Sequence, residues 1–146
     1  MIFFDTNILV YSSINQDTAK QKLADEKILA GLKSNQIVIS PLVLIEYLFV
    51  LSKLNQIHFQ QRNIAFFKTL AIGIISIDMV HEAYRICSSI NYCKSINDVI
   101  HLKFAEQHCH KLITFDSDFK KLTPYTSLEI EIRENGYIKN VILDVT

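Results

Sequence analysis

Four carboxylates in this 146-residue chain stand where a carboxylate is costly or where ligands bind. Asp5 follows the apolar run Ile2, Phe3, Phe4, and Asp116 follows Leu112, Ile113, Thr114, Phe115. Both runs read as short buried strands. In open α/β sheets, ligands bind beyond the carboxyl ends of the strands, so each Asp occupies a site position as well as a turn position that Asp favours anyway. Glu46 lies between Leu42, Val43, Leu44, Ile45 and Tyr47, Leu48, Phe49, Val50, Leu51. A Glu in such a run requires a distant cation, a narrow exposed stripe or a metal ion. Asp98 opens a helical pattern after Ser95, where a carboxylate also suits the positive end of the helix dipole. If these acids converge, they repel one another unless a cation joins them. All-oxygen ligation selects a hard ion such as Mg²⁺ or Mn²⁺ over Zn²⁺. His58, His81, His101, His108 and His110 offer no metal-ligand spacing except at 108 and 110, which lie on diverging faces. No Gly-rich phosphate loop, nucleophile elbow or Cys-His dyad is present.

The elements that would carry these acids alternate between strand and helix periodicity. After the strand at 2–4, a polar-rich pattern with Ala19, Leu23, Ala30 and Leu32 predicts a helix over 17–33, broken by Ser34-Asn35. Ile37 to Ile39 is β-branched, and Ser40-Pro41 is an N-cap followed by Pro at the first helical position. It opens an almost wholly apolar helix to about residue 54, expected to be buried on most sides. Phe59, Asn63, Phe66, Phe67 and Leu70 recur at helical spacing, Ile72 to Ile77 is β-branched around Gly73, and Val80, Ala83, Tyr84, Cys87 and Ile90 mark another helix face. Ser95 caps a predicted helix over 97–109, and residues 128–132 alternate as an edge strand does. Alternating strands and helices imply right-handed crossovers and a mostly parallel sheet covered on both faces, hence a three-layer α/β fold. Glu134-Asn135-Gly136 is a turn signal after which residues 138–145 are expected to pair back as a hairpin.

Composition narrows the function classes. Apolar residues make up 49% and charged residues 21%, with three Gly and two Pro, so the chain forms a core and contains no linker. One domain over 1–146 is expected. No apolar stretch reaches the roughly 20 residues of a spanning helix, and no secretion signal follows Met1, so a cytoplasmic protein is expected. Cys87, Cys93 and Cys109 are an odd set without paired spacing and are expected to be reduced. Fifteen basic and fifteen acidic residues cancel, which argues against a passive nucleic-acid-binding module. It does not argue against an enzyme that holds nucleic acid through metal ions.

Four motifs now combine: Ile2-Phe3-Phe4-Asp5-Thr6-Asn7, the helix from Ser40 around Glu46, Asn97-Asp98-Val99-Ile100-His101-Leu102, and Leu112-Ile113-Thr114-Phe115-Asp116-Ser117-Asp118-Phe119. In order and spacing the chain resembles PIN-domain ribonucleases, most closely the VapC toxins of bacterial toxin–antitoxin pairs. The likeness covers residues 1–122, and leaves the tail, 123–146, unmatched. Val99 stands where Ala is common in the family, and Gln107, Cys109 and His110 fill a turn where small residues are usual. The resemblance implies a parallel sheet of order 3-2-1-4-5, with Asp5, Glu46, Asp98 and Asp116 as metal-binding acids and Asp118 as an auxiliary acid. Thr6, Asn7 and Thr114 would hold the carboxylates through hydrogen bonds. It further implies Mg²⁺- or Mn²⁺-dependent hydrolysis of RNA, a homodimer, and a small antitoxin partner. Asp98 or Asp116 would orient the attacking water. Two alternatives are a catalytically silent PIN-like interaction module and a phosphatase- or receiver-like α/β domain. No Lys follows the last core strand as the latter requires.

Overall fold

β-branched and aromatic runs build the sheet, and capped amphipathic segments cover it. The computed structural model describes residues 1–90, 93 and 95–133. Along the chain, β1 (Ile2–Phe4) is followed by α1 (Thr6–Ser13), α2 (Thr18–Lys33), β2 (Ile37–Val38), α3 (Pro41–Lys53), α4 (Gln61–Leu70), α5 (Ile77–Ser89), α6 (Ile96–His108), β3 (Lys111–Thr114) and β4 (Glu129–Ile132). A 3₁₀ segment, Ser117–Tyr125, joins β3 to β4.

All described strand pairings are parallel, in the order β2-β1-β3-β4. The run 72–77 does not form a full strand. It is reduced to a single parallel bridge between Ala71 and Ile39, with Ile39 N–H donating to the Leu70 carbonyl and Ile72 N–H to the Ile39 carbonyl. Gly73 turns the chain away at φ 71, a conformation that Gly adopts without strain. With that bridge counted as the third strand in sequence, the sheet keeps the expected order 3-2-1-4-5. The order matters for the site because β1 and β3 are neighbours: Phe4 pairs with Ile113, so the chain leaves both strands at the same edge.

Local signals account for the helix boundaries. Asp17 caps α2 by accepting from Lys20 N–H, and Asn35, at φ 54, takes the left-handed turn after it. Ser40 caps α3 by accepting from Val43 N–H at 3.1 Å, with Pro41 in the first turn. Two expectations are corrected here. Residues 6–13 form a helix that the periodicity did not announce, capped by Asp5 itself, whose side chain accepts from Thr6 N–H. And α3 is not buried on most sides: Val43, Tyr47 and Leu51 face inward, while Ile45 and Phe49 are 63% and 65% exposed. The sheet is too short for its covering helix to be enclosed all round.

The core lies on both faces of β1 and β3. Phe3 and Leu112 are fully buried, and Phe3 stacks with His101 and Phe104 of α6. Edge strand β4 turns Glu129 to solvent as alternation predicts but not Glu131, which is buried, with Lys27, Lys111 and Arg133 at 2.9, 2.7 and 2.9 Å. Burial raises its pKa, but hydrogen bonds from Lys111 and Lys27, with Arg133, win and hold it at about 2. The expectation of three reduced thiols is also corrected. Cys87, in the last turn of α5, is joined to Cys93, their Cα atoms 5.3 Å apart beside the packed pair α5 and α6. Cys109 is a free thiol, which burial pushes up to about 11. The expected hairpin at 138–145 lies outside the described residues.

Helix α2 meets the sheet at Gly31, where a Cβ would come within 2.4 Å of Ile37 Cγ1. Ala is the better helix former by about 1 kcal/mol, but Ile37 is buried in β2 and has nowhere to retreat. Gly31→Ala is therefore expected to destabilise the fold by about 1–3 kcal/mol, read from urea denaturation. A variant as stable as the wild type would mean that β2 yields freely.

Candidate metal centre

The site grows from the edge where β1 and β3 end. Asp5 sits one residue beyond β1, 5% exposed, with its backbone N–H tied to the Ile113 carbonyl of β3 at 3.0 Å. Its carboxylate is held from several sides. Oδ1 accepts from Thr6 N–H at 2.7 Å, and Oδ2 accepts from the Thr114 hydroxyl at 2.6 Å and from Asn7 Nδ2 at 3.2 Å. Asn7 in turn receives the Phe115 N–H on Oδ1, and Thr114 Oγ1 receives the Asp116 N–H. Thr6, Asn7 and Thr114 thus stitch the start of α1 to the end of β3 around Asp5.

Glu46 enters from the middle of α3. Its Oε1 accepts from Thr6 Oγ1 at 2.5 Å and from His101 Nε2 at 2.7 Å, and its Oε2 accepts from Asn97 Nδ2 at 2.9 Å. The sequence leaves Glu46 without a basic neighbour, yet a partner comes from α6. His101 was among the histidines set aside on spacing, which considered only other histidines. Three residues after Asp98, it lies on the same helical face, and that is the signal that could have found it. Among the described residues, Asp5, Glu46 and His101 each offer a ligand atom within 4.8 Å of the others. Asp98, in the first turn of α6, and Asp116, which receives the Asp118 N–H on Oδ1 at 2.9 Å, stand outside that tight set. They are near enough that the charges of Asp5 and Asp116 act on Asp98. Asp98 and Asp118 share the lining of a small cavity with Ser95 and Lys121.

The electrostatics separate these groups. Burial raises the Asp98 pKa first, and the Asp5 and Asp116 carboxylates raise it further, to about 7. Asp5 is also raised, because burial outweighs the lowering by His101, Thr114 and Thr6. Glu46 goes the other way: burial opposes ionisation, but the His101 hydrogen bond and charge, with Thr6 and Asn97, hold it at about 2. His101 is raised despite burial by its hydrogen bond to Glu46 and by the charges of Asp5, Glu46 and Asp98. Carboxylates that resist ionising beside one another make a donor set that a divalent cation fits, and their oxygens suit a hard ion.

A parallel sheet with acids gathered beyond two adjacent central strands defines an α/β protein with a candidate metal centre at its carboxyl edge. The sequence matches the PIN domain family over residues 2–123, and the chain belongs to that family. Among solved structures, the crystal structure of VapBC2 from Rickettsia felis bound to a DNA fragment from their promoter shares the fold. It has 22% identity and a TM-score of 0.67, covering 90% of this chain and 98% of that one. A toxin–antitoxin complex from Klebsiella pneumoniae is similar at 23% identity and a TM-score of 0.56, covering 82% of this chain and 90% of that one. No curated protein matches by sequence.

The raised Asp98 pKa fixes the sign of a pH effect. Between its ordinary 3.8 and about 7 the folded chain holds a proton that the unfolded chain has lost. Metal-free stability therefore falls as pH rises through that window. The raised Asp5 and His101 values act in the same sense. In EDTA the melting temperature is expected to drop between pH 5 and pH 8 by buffer-independent scanning, and Asp98→Asn should be the more stable protein at pH 8 but not at pH 5. Parallel curves for the two proteins would contradict the crowding of charge at Asp98.

Proposed function

We propose that this chain is a Mg²⁺- or Mn²⁺-dependent endoribonuclease and the toxin of a toxin–antitoxin pair. The observation that carries this reading is the gathering of Asp5, Glu46, Asp98 and Asp116 at the carboxyl edge of β1 and β3 in a chain of the PIN family. The likeness in fold to two toxin–antitoxin complexes supports a small antitoxin protein as its partner. Apolar side chains exposed on α3 and at the start of α5, Phe49 and Ile77 among them, support a homodimer that covers part of that surface. Among the described residues no helix is long and apolar enough to cross a membrane.

In this reading the four acids hold the cation, with Asp118 beside them. A divalent cation bound there would neutralise the phosphodiester and lower the pKa of a nearby water. The chain's own groups do the rest. Thr6, Asn7 and Thr114 keep Asp5 in one orientation, and His101 and Asn97 do the same for Glu46, so these two carboxylates are already placed before ligand arrives. In this reading Asp98, which burial and the Asp5 and Asp116 charges raise to about 7 in the metal-free protein, takes the proton of the attacking water. As the water oxygen forms its bond to phosphorus, one ester P–O bond breaks and the departing oxygen is protonated. One product then ends in a hydroxyl and the other in a phosphate.

Purified protein incubated with total RNA is expected to cut it with Mg²⁺ or Mn²⁺ and not with EDTA. Asp116→Asn should lose at least 100-fold in rate while still melting cooperatively, an order of magnitude set by the loss of a metal ligand. A wild type that binds Mn²⁺ but leaves RNA intact would favour the silent interaction module. Light scattering at micromolar concentration tests the homodimer, and a monomer throughout would remove it.

A further inference from the structure

The strongest feature left unexplained is a buried imidazole behind the acids. His101 is 1% exposed, and its ring is packed at 5.6 Å from that of Phe3, which in turn lies 5.8 Å from Phe104. Nδ1 is fully buried and, among the described residues, has no hydrogen-bond partner. An unpaired buried polar atom costs about 1–3 kcal/mol, and an apolar side chain in this cage would avoid that cost. Packing therefore does not explain a histidine here. The other nitrogen does: Nε2 meets Glu46 Oε1 at 2.7 Å, and Asp5 Oδ1 lies beyond hydrogen-bond range at 3.8 Å.

Counting acceptor sites shows what that bond achieves. A carboxylate oxygen has room for two partners. Glu46 Oε1 is filled by Thr6 and His101, and Asp5 Oδ2 is filled by Thr114 and Asn7. Among the described residues Glu46 Oε2 has only Asn97, and Asp5 Oδ1 has only Thr6 N–H. One place is left on each acid. Glu46 sits on a long side chain in a half-exposed helix, and without its donors it would sample several rotamers.

We propose that His101 is a positioning residue for the metal centre, its Nε2–H holding Glu46 Oε1 so that Oε2 is the oxygen offered to a divalent cation. The inference rests on the proposed metal-dependent function and assigns a role to a residue outside its four acids. Asp98 and His101 lie one helical turn apart on α6, so the helix that delivers one acid also orients another. A nitrogen that carries its proton toward Glu46 has no lone pair for a metal, so His101 acts through Glu46 and not as a ligand.

The test measures Mn²⁺ binding to the full chain by calorimetry, for wild type, His101→Phe, His101→Gln, Glu46→Gln and the double variant Glu46→Gln/His101→Phe. His101→Phe keeps a ring between Phe3 and α3 but no donor, and His101→Leu takes its place should the Phe protein not fold. Loss of the donor is expected to weaken Mn²⁺ binding by about 10- to 100-fold without lowering the melting temperature in EDTA. His101→Gln, whose amide N–H reaches toward the position of Nε2, should recover most of the affinity. In the Glu46→Gln background, His101→Phe should change affinity less than about twofold, because both changes remove one contact. Unchanged Mn²⁺ binding in the donorless variant would overturn the inference. So would a full loss that persists in the Glu46→Gln background, which would make His101 a direct ligand. A wild type that binds no Mn²⁺ would overturn the metal-dependent function itself, and the inference with it.

Discussion

Like charges must be held together, and the site's surroundings are organised around that constraint. Carboxylates at the carboxyl edge of β1 and β3 repel in a partly buried place, where the repulsion is screened least. Neutral donors oppose it. Thr6 alone supplies two, its backbone N–H to Asp5 and its hydroxyl to Glu46, and so links the first strand to α3 through a single residue. The same residue begins α1, whose cap is Asp5 itself. The cap and the candidate site share one carboxylate: capping α1 leaves Asp5 at the carboxyl edge of β1, where the proposed cation would bind.

Topology brings these parts within reach at low cost. Residues far apart in sequence meet because β1 runs beside β3, and because the first turns of α6 meet Glu46 of α3 there. Asp5 and Thr114 are 109 residues apart and hydrogen-bonded at 2.6 Å. The buried Glu131, tied to Lys27 and Lys111, anchors α2 and β3 to the edge strand on the far side of the sheet from α6. Removing Glu131 would leave the buried Arg133 and two lysines without their shared carboxylate, so the cluster depends on that one acid. It fixes the strand that carries Thr114 without taking part in the chemistry.

Glu46 stood out in the sequence because it violated a local rule, and Asp5 and Asp116 because they share one position relative to an apolar run, whereas Asp98 obeys the ordinary preference for an acid at a helix start. Asp5 and Asp116 ended apolar runs, and Glu46 interrupted one, signals that survive without any knowledge of the fold. Ser40-Pro41 announced α3 for the same reason, since capping is local physics. What could not be read was set by tertiary context. The segment 6–13 carries no helical periodicity of its own, and it is helical where it packs against α2, α3 and β3. The 72–77 run has β propensity but forms one bridge, because Gly73 turns it off the sheet edge. His101 was invisible as a partner of Glu46, since 55 residues separate them and the histidine spacing examined was the wrong relation. Cys87 and Cys93 likewise lack a spacing that predicts pairing, and it is the packing of α5 on α6, a tertiary fact, that accompanies their bond.

The two ends of the acidic site are unequal, and the inequality has a chemical meaning. At the inner end, Asp5 and Glu46 have donors on every oxygen, and His101 supplies a nearby positive charge when protonated. At the outer end, Asp98 carries the charge of its neighbours as a raised pKa and, with Asp118, lines a cavity. Preorganisation is thus concentrated where a cation would be gripped, and the unrelieved charge where a proton would be exchanged. For the proposed hydrolysis that division is useful. Burial raises Asp5 in spite of its three donors, whereas Glu46, which also faces the His101 imidazole, is held low and is a poor base; Asp98, raised toward neutrality, can both accept and release a proton. Glu46 at about 2 and Asp98 at about 7 thus diverge within one site, because Asp98 is buried beside other carboxylates while Glu46 is met by the donors His101, Thr6 and Asn97.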